Sequence, residues 1–124
     1  MLGSHPIVAC IATHDPDLAK PFYRDVLGLR LISEDQFSLI FDAHGTILRI
    51  FIVQDLAPAK YAILGWQVPD LLEVAQRLEK AGVPFEKFSN FHGMDERGIW
   101  TTPSGEKLAW FKDPAENMLI LSQR

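Results

Sequence analysis

Residues 14–29 read HDPDLAKPFYRDVLGL and residues 68–83 read VPDLLEVAQRLEKAGV, and the likeness of the two stretches decides how the chain is built. Pro16-Asp17-Leu18 returns as Pro69-Asp70-Leu71, an offset of 70 − 17 = 53, and Gly28-Leu29 returns as Gly82-Val83, an offset of 82 − 28 = 54. A recurrence at nearly constant distance marks one supersecondary unit written twice. Each copy follows a strand-like run, IVACIAT (7–13) or YAILGWQV (61–68), and opens a helix. Asp15 before Pro16 suits an N-cap with proline at the first helical position. Leu71, Val74, Ala75, Leu78 and Ala81 form an i, i+3, i+4, i+7 stripe that stops at Gly82. Pro21 cannot donate its backbone hydrogen bond, so the first helix is expected to loosen or kink there.

Short strand-like runs follow each helix: Leu29–Ser33, Gln36–Asp42 and Thr46–Val53, then Val83–Phe88, Gly98–Thr102, Lys107–Lys112 and a closing Asn117–Ser122. Turn residues separate them, as in Ser33-Glu34-Asp35, Ala43-His44-Gly45, Pro103-Ser104-Gly105 and Asp113-Pro114. The reading is an α+β fold of two βαβββ modules, about 5–55 and 60–124, within one domain spanning 1–124. No linker or low-complexity stretch divides them.

Composition narrows the function. The chain has 124 residues, 48% of them hydrophobic, which suits one core. A net charge of −4 and the absence of any basic run argue against nucleic acid. No apolar run approaches the ~18 residues that span a bilayer, and no basic segment followed by an apolar stretch opens the chain, so no membrane partner and a cytoplasmic setting are expected. Cys10 is the single cysteine and reads as an apolar strand residue.

Period-2 alternation sorts the faces of the four strands expected to be central. Ile7, Ala9, Ile11, Leu48, Ile50, Ile52, Leu64, Trp66, Val68, Leu119 and Leu121 carry no charge and form the helix-covered face. The opposite face reads Val8, Cys10, Ala12; Ile47, Arg49, Phe51; Ile63, Gly65, Gln67; and Met118, Ile120, Ser122. An apolar wall with sparse polar groups is the composition of a small-molecule pocket; a partly solvated sheet face is the plain alternative.

The segments PFYRDVLGLRL (21–31) and ERGIWTTPSGEKLAWFKDPAENML (96–119) resemble the glyoxalase / bleomycin-resistance / extradiol-dioxygenase (vicinal oxygen chelate) superfamily. Phe22-Tyr23 with Leu27-Gly28-Leu29 is similar to that family's first helix and its exit, and Phe111-Lys112-Asp113-Pro114 with Asn117 and Leu119 to the turn into its last strand. The resemblance implies paired βαβββ modules whose sheets curl around a cup, and a homodimer. It also implies, in many members, a divalent metal held by mid-strand side chains. Those positions fall here on Val8, Arg49, Ile63 and Ile120, and none is a metal donor: aliphatic side chains have no lone pair and arginine stays protonated. The neighbours Ile7, Ala9, Leu48, Ile50, Ala62, Leu64, Leu119 and Leu121 offer no donor either, so no cofactor is expected. Ala115-Glu116 departs from the family's acidic residue followed by glycine; a positive φ at that turn would suit Glu116 poorly.

Arg49 is the only charge in TILRIFIV (46–53), and its guanidinium needs an anion or water. It is expected to bind an anionic ligand group bidentately; the structural alternative is a salt bridge to Asp42, Asp95 or Glu96, or exposure at a cup rim. Gln67 and Ser122 are candidates for orienting hydrogen bonds, and Phe51, Phe91, Trp100 and Met118 for apolar contact. His5, His14 and His44 read as solvated or capping residues, whereas His92 sits in a loop, SNFHGMDERG (89–98), long enough to touch a ligand. Three functions follow: a metal-independent binder of a small, partly apolar, anionic molecule, which is preferred; a lyase, isomerase or dioxygenase, either metal-dependent or relying on Cys10 or His92 for proton transfer; or a non-catalytic dimeric interaction protein.

Overall fold

A computed structural model describes all 124 residues, in two compact units, Met1–Ala57 and Pro58–Arg124. In the first, β1 (Val8–Thr13) leads into α1 (Pro16–Pro21), and β2 (Arg30–Glu34), β3 (Ser38–Ala43) and β4 (Thr46–Ile52) follow. In the second, β5 (Leu64–Gln67) leads into α2 (Leu71–Lys80), and β6 (Trp100–Thr101), β7 (Lys107–Lys112) and β8 (Met118–Gln123) follow. The sheet orders are β1-β4-β3-β2 and β5-β8-β7-β6, the same topology twice, with the first and last strands of each unit parallel and the others antiparallel. The fold is α+β, two βαβββ units, as the repeat implied.

The true register of that repeat differs from the Pro-Asp-Leu echo. Asp15 and Asp70 are the two N-caps, their carboxylates accepting from Leu18 N and Glu73 N at 3.2 Å each. They lie 70 − 15 = 55 residues apart, as do the equivalent strand residues Cys10 and Gly65. The echo at 53 pairs Pro16, inside α1, with Pro69, which precedes the α2 cap; proline is tolerated in both places because neither needs its missing N–H.

Pro21 does what its chemistry requires. The α-helical pattern ends at it, and Phe22–Val26 continue as a π-helical turn in which Leu27 N donates to Phe22 O at 2.9 Å, five residues back. The wider turn places Phe22 and Tyr23 in the core, with Tyr23 edge-on to Phe22 at 5.2 Å and tilted against Phe41 at 6.0 Å. Ile11, Leu39, Leu48 and Ile50 complete this layer. In the second unit Leu71, Ala75 and Leu78 of α2 are buried together with Phe85, Ala109, Phe111, Leu119 and Leu121, and Gln123 Oε1 accepts from Leu71 N at 2.7 Å, tying the helix start to β8.

Three local expectations need correction. Val83–Phe88 is not a strand: Phe85 makes a single bridge to Phe111, because Pro84 has no N–H and the chain then leaves the sheet in the 89–98 loop. Gly98–Thr102 shrinks to Trp100–Thr101, since Gly98 N and Ile99 N are taken by the Asp95 carboxylate. Ile7 is 80% exposed and precedes β1. Leu119 is fully buried and Ile120 is not, so the faces of β8 are as alternation assigns them.

The turn into β8 is held by one buried carboxylate. Asp113 Oδ1 accepts from Ala115 N and Asn117 N, and its Oδ2 from Asn117 Nδ2, all at 2.9 Å. This loop holds Glu116 at φ +67°, a left-handed conformation that suits a non-glycine residue poorly. A left-handed backbone costs a non-glycine residue ~1–2 kcal/mol. The exposed contact from Glu116 to Lys112, at 3.8 Å, returns no more than ~0.5 kcal/mol. Removing the anchor exposes the arrangement: Asp113→Ala removes the acceptor of three hydrogen bonds and is expected to lower unfolding free energy by about 3 kcal/mol in urea titration.

Candidate functional site

In the first unit the open face of the sheet is ordered by its register. Across it run the rows Val8–Ile47–Asp42, Cys10–Arg49–Ile40 and Ala12–Phe51–Ser38. Arg49 is therefore central, with Cys10 and Ile40 as cross-strand neighbours and Ile47 and Phe51 along its own strand. Its guanidinium carbon lies 5.7 Å from the Phe51 ring centre, and Phe51 is 40% exposed. Arg49 forms no ion pair, and its Nε is closed off from solvent without an acceptor. Asp42, named from the sequence as a candidate partner, instead pairs with Arg30 at 3.7 Å and accepts from Gly45 N at 3.2 Å. An unpaired buried donor costs ~1–3 kcal/mol, and more when charged, so the guanidinium is under-satisfied as it stands.

In the second unit the corresponding face carries the rows Gly65–Ile120–Trp110 and Gln67–Ser122–Leu108–Trp100. Gln67 and Ser122 are thus direct cross-strand partners, and Trp100 closes their row. Gly65 permits the close approach of β5 to β8: a Cβ there would lie 2.5 Å from Ile120 Cγ2. Trp110 stacks on Phe91 at 5.2 Å and meets Phe88 edge-on at 5.5 Å, while Phe91 also touches Trp100 at 4.9 Å. His92 contributes its backbone carbonyl, which accepts from Trp100 Nε1 at 2.9 Å; its imidazole is exposed. Phe88 and Trp110 were not among the sequence candidates. Alternation along Leu108, Trp110 and Lys112 of β7, set against Ile120, was the signal that would have found Trp110.

Met118 lies at the other end of this face, four residues or about 13 Å along β8 from Ser122. There it borders a cleft of 340 Å³ lined by Pro58, Ala59, Lys60, Glu86, Phe88, Lys112 and Glu116. The structure thus gathers Arg49 with Phe51, and Gln67 with Ser122 and Trp100, and sets Met118 apart.

No three His, Cys, Asp or Glu side chains converge as metal ligands. At the positions that the resemblance implies, Val8 lies beside Ile47, Arg49 beside Cys10 and Ile120 beside Gly65, while Ile63 N donates to Met118 O. These residues do not fit a divalent cation. The shifted titrations fall elsewhere: Asp25 is held below the usual carboxylate range by its hydrogen bond from Arg24, on an exposed helix surface.

Two βαβββ units, each with a four-stranded mixed sheet, are the architecture of a glyoxalase-like fold. The glyoxalase/bleomycin resistance protein/dioxygenase superfamily profile matches residues 5–121, and the chain belongs to that superfamily. Among solved structures, a glyoxalase family protein from Enterococcus faecalis superposes with a TM-score of 0.78 at 20% identity, covering 98% of this chain and 99% of that one. A superfamily member from Sphaerobacter thermophilus gives 0.76 at 20% identity over 100% of both chains. Lactoylglutathione lyase from Agrobacterium tumefaciens gives 0.75 at 22% identity, over 99% of this chain and 96% of that one. At such identities the likeness is one of fold. No curated protein sequence matches the chain.

The 89–98 loop is pinned at its far end. Asp95 Oδ1 accepts from Arg97 N, Gly98 N and Ile99 N at 3.0, 3.0 and 2.8 Å, and Gly98 sits at φ +104° with room for no Cβ, Glu86 O lying 2.8 Å from where one would be. Gly98→Ala is expected to cost about 2–3 kcal/mol in urea unfolding and to shift tryptophan emission as Phe91 moves off Trp100 and Trp110.

Proposed function

We propose that this protein is a metal-independent binder of a small, partly apolar molecule bearing a carboxylate or similar anion, seated on the open face of β1 and β4. The single observation that carries this reading is Arg49: a guanidinium in the middle of an apolar face, with a solvent-excluded Nε and no acceptor. An anion accepting from the Nη groups would neutralise the guanidinium, and a turn of the side chain that brings its Nε edge outward would complete a bidentate fork. Phe51, Ile47 and Val8 supply apolar surface for the rest of the molecule. Metal independence is supported by the lack of donors at Val8, Arg49, Ile63 and Ile120. Ile7 and Val8, 80% and 48% exposed at the β1 edge, support a homodimer as the working form. No helix is long and apolar enough to cross a membrane.

The test is a thermal-unfolding screen of small aryl and alkyl carboxylates, benzoate first. A binder at a hundredfold excess over its dissociation constant is expected to add about 2.7 kcal/mol of stability. Arg49→Ala is expected to weaken that ligand at least tenfold, about 1.4 kcal/mol, with Arg49→Lys between the two. Undiminished affinity in Arg49→Ala would refute the anchor. Elemental analysis of the purified chain is expected to find no stoichiometric metal, and chelator followed by Ni²⁺, Zn²⁺, Fe²⁺ or Mn²⁺ to leave the midpoint in place; stoichiometric metal with a clear shift would overturn the metal-independent reading.

A further inference from the structure

The cleft at the Lys112 end of the second sheet has a chemistry of its own. Its lining carries two ammonium groups, Lys60 and Lys112, and two carboxylates, Glu86 and Glu116, beside the apolar surfaces of Phe88 and Met118. Lys112 Nζ stands 3.7 Å from Glu86 and 3.8 Å from Glu116, outside hydrogen-bond length for both. Where this chain forms close ion pairs they are much shorter, as in Lys20–Glu34 at 2.7 Å and Arg97–Glu79 at 2.9 Å. Lys60 pairs with no carboxylate. Lys112 is thus shared loosely between the two carboxylates, and Lys60 is the cation on this concave surface that pairs with neither.

From this we infer a second binding site, for a free α-amino acid with an apolar side chain. Opposite charges side by side suit a molecule that carries both, rather than a simple anion or cation. The ligand ammonium would take the place of Lys112 between Glu86 and Glu116, and Lys112, so released, would join Lys60 in donating to the ligand carboxylate. Phe88 and Met118 would hold the side chain. A volume of 340 Å³ lies at the small end of the ~300–1,000 Å³ range of small-molecule sites, as an amino acid requires.

The experiment is calorimetric titration and thermal unfolding of the full chain with L-phenylalanine and L-leucine. It is run in the Arg49→Ala background so that an anion at Arg49 cannot produce the signal. L-phenylalaninamide and N-acetyl-L-phenylalanine, each lacking one charge, are the controls. The expected result is saturable binding of the free amino acids, at least tenfold weaker for both controls and for Lys112→Met and Glu116→Gln. Glu116→Gly is expected to lose binding while its midpoint without ligand rises, a combination that a purely structural Glu116 would not give. No response to either amino acid, equal response to a control, or undiminished binding in Lys112→Met and Glu116→Gln would each overturn the proposal, whatever the fate of the Arg49 reading.

Discussion

The parallel seam between the first and last strands of each unit is the constraint on which the rest depends. Two parallel strands cannot be joined by a tight turn, so the chain must cross over between them, and here it does so through a helix and two further strands. Once the seam is formed, the helix covers one face of the sheet. The opposite face brings mid-strand residues of the first and last strands side by side, Cys10 with Arg49 in one unit and Gly65 with Ile120 in the other. Every candidate functional residue on the strands is placed by that register.

The two copies of this frame have been filled differently. The first has a cation in the centre of its open face and uncommitted apolar groups around it. The second has Gly65 under Ile120 at the equivalent place, with no charge, and has moved its polar groups to the ends: Gln67 and Ser122 at one, Lys112 and Glu86 at the other. An aromatic group of Phe88, Phe91, Trp100 and Trp110 occupies the ground between. Duplication supplies the scaffold, and the side chains decide what each copy can hold.

Much of this could be read along the chain because it rests on local chemistry. Alternation on β1, β4 and β8 assigned Arg49, Phe51, Met118 and Ser122 to the open face, since a strand buried on one side has only one tolerable register. Pro21 announced the break in α1, because a proline beyond the first turn cannot donate the α-helical hydrogen bond. The 53-residue echo, by contrast, was off by two from the structural repeat of 55: identical tripeptides were matched, whereas what recurs is a carboxylate at each N-cap. The run Val83–Phe88 misled for a similar reason. Its residues favour strand, but pairing needs a neighbour, and after the single Phe85 bridge the chain leaves β7 for the loop.

What the sequence by itself determined is the repeat, the fold class and the faces of the central strands. These follow from periodicity and from the identity of side chains, which need no partner to be known. Only the tertiary structure decided that the Arg49 Nε finds no acceptor, that His92 gives its carbonyl to Trp100, and that Lys60, Glu86, Lys112 and Glu116 meet around one cleft. Each of those outcomes depends on how groups distant in sequence meet in space, and spacing along a chain carries no record of that.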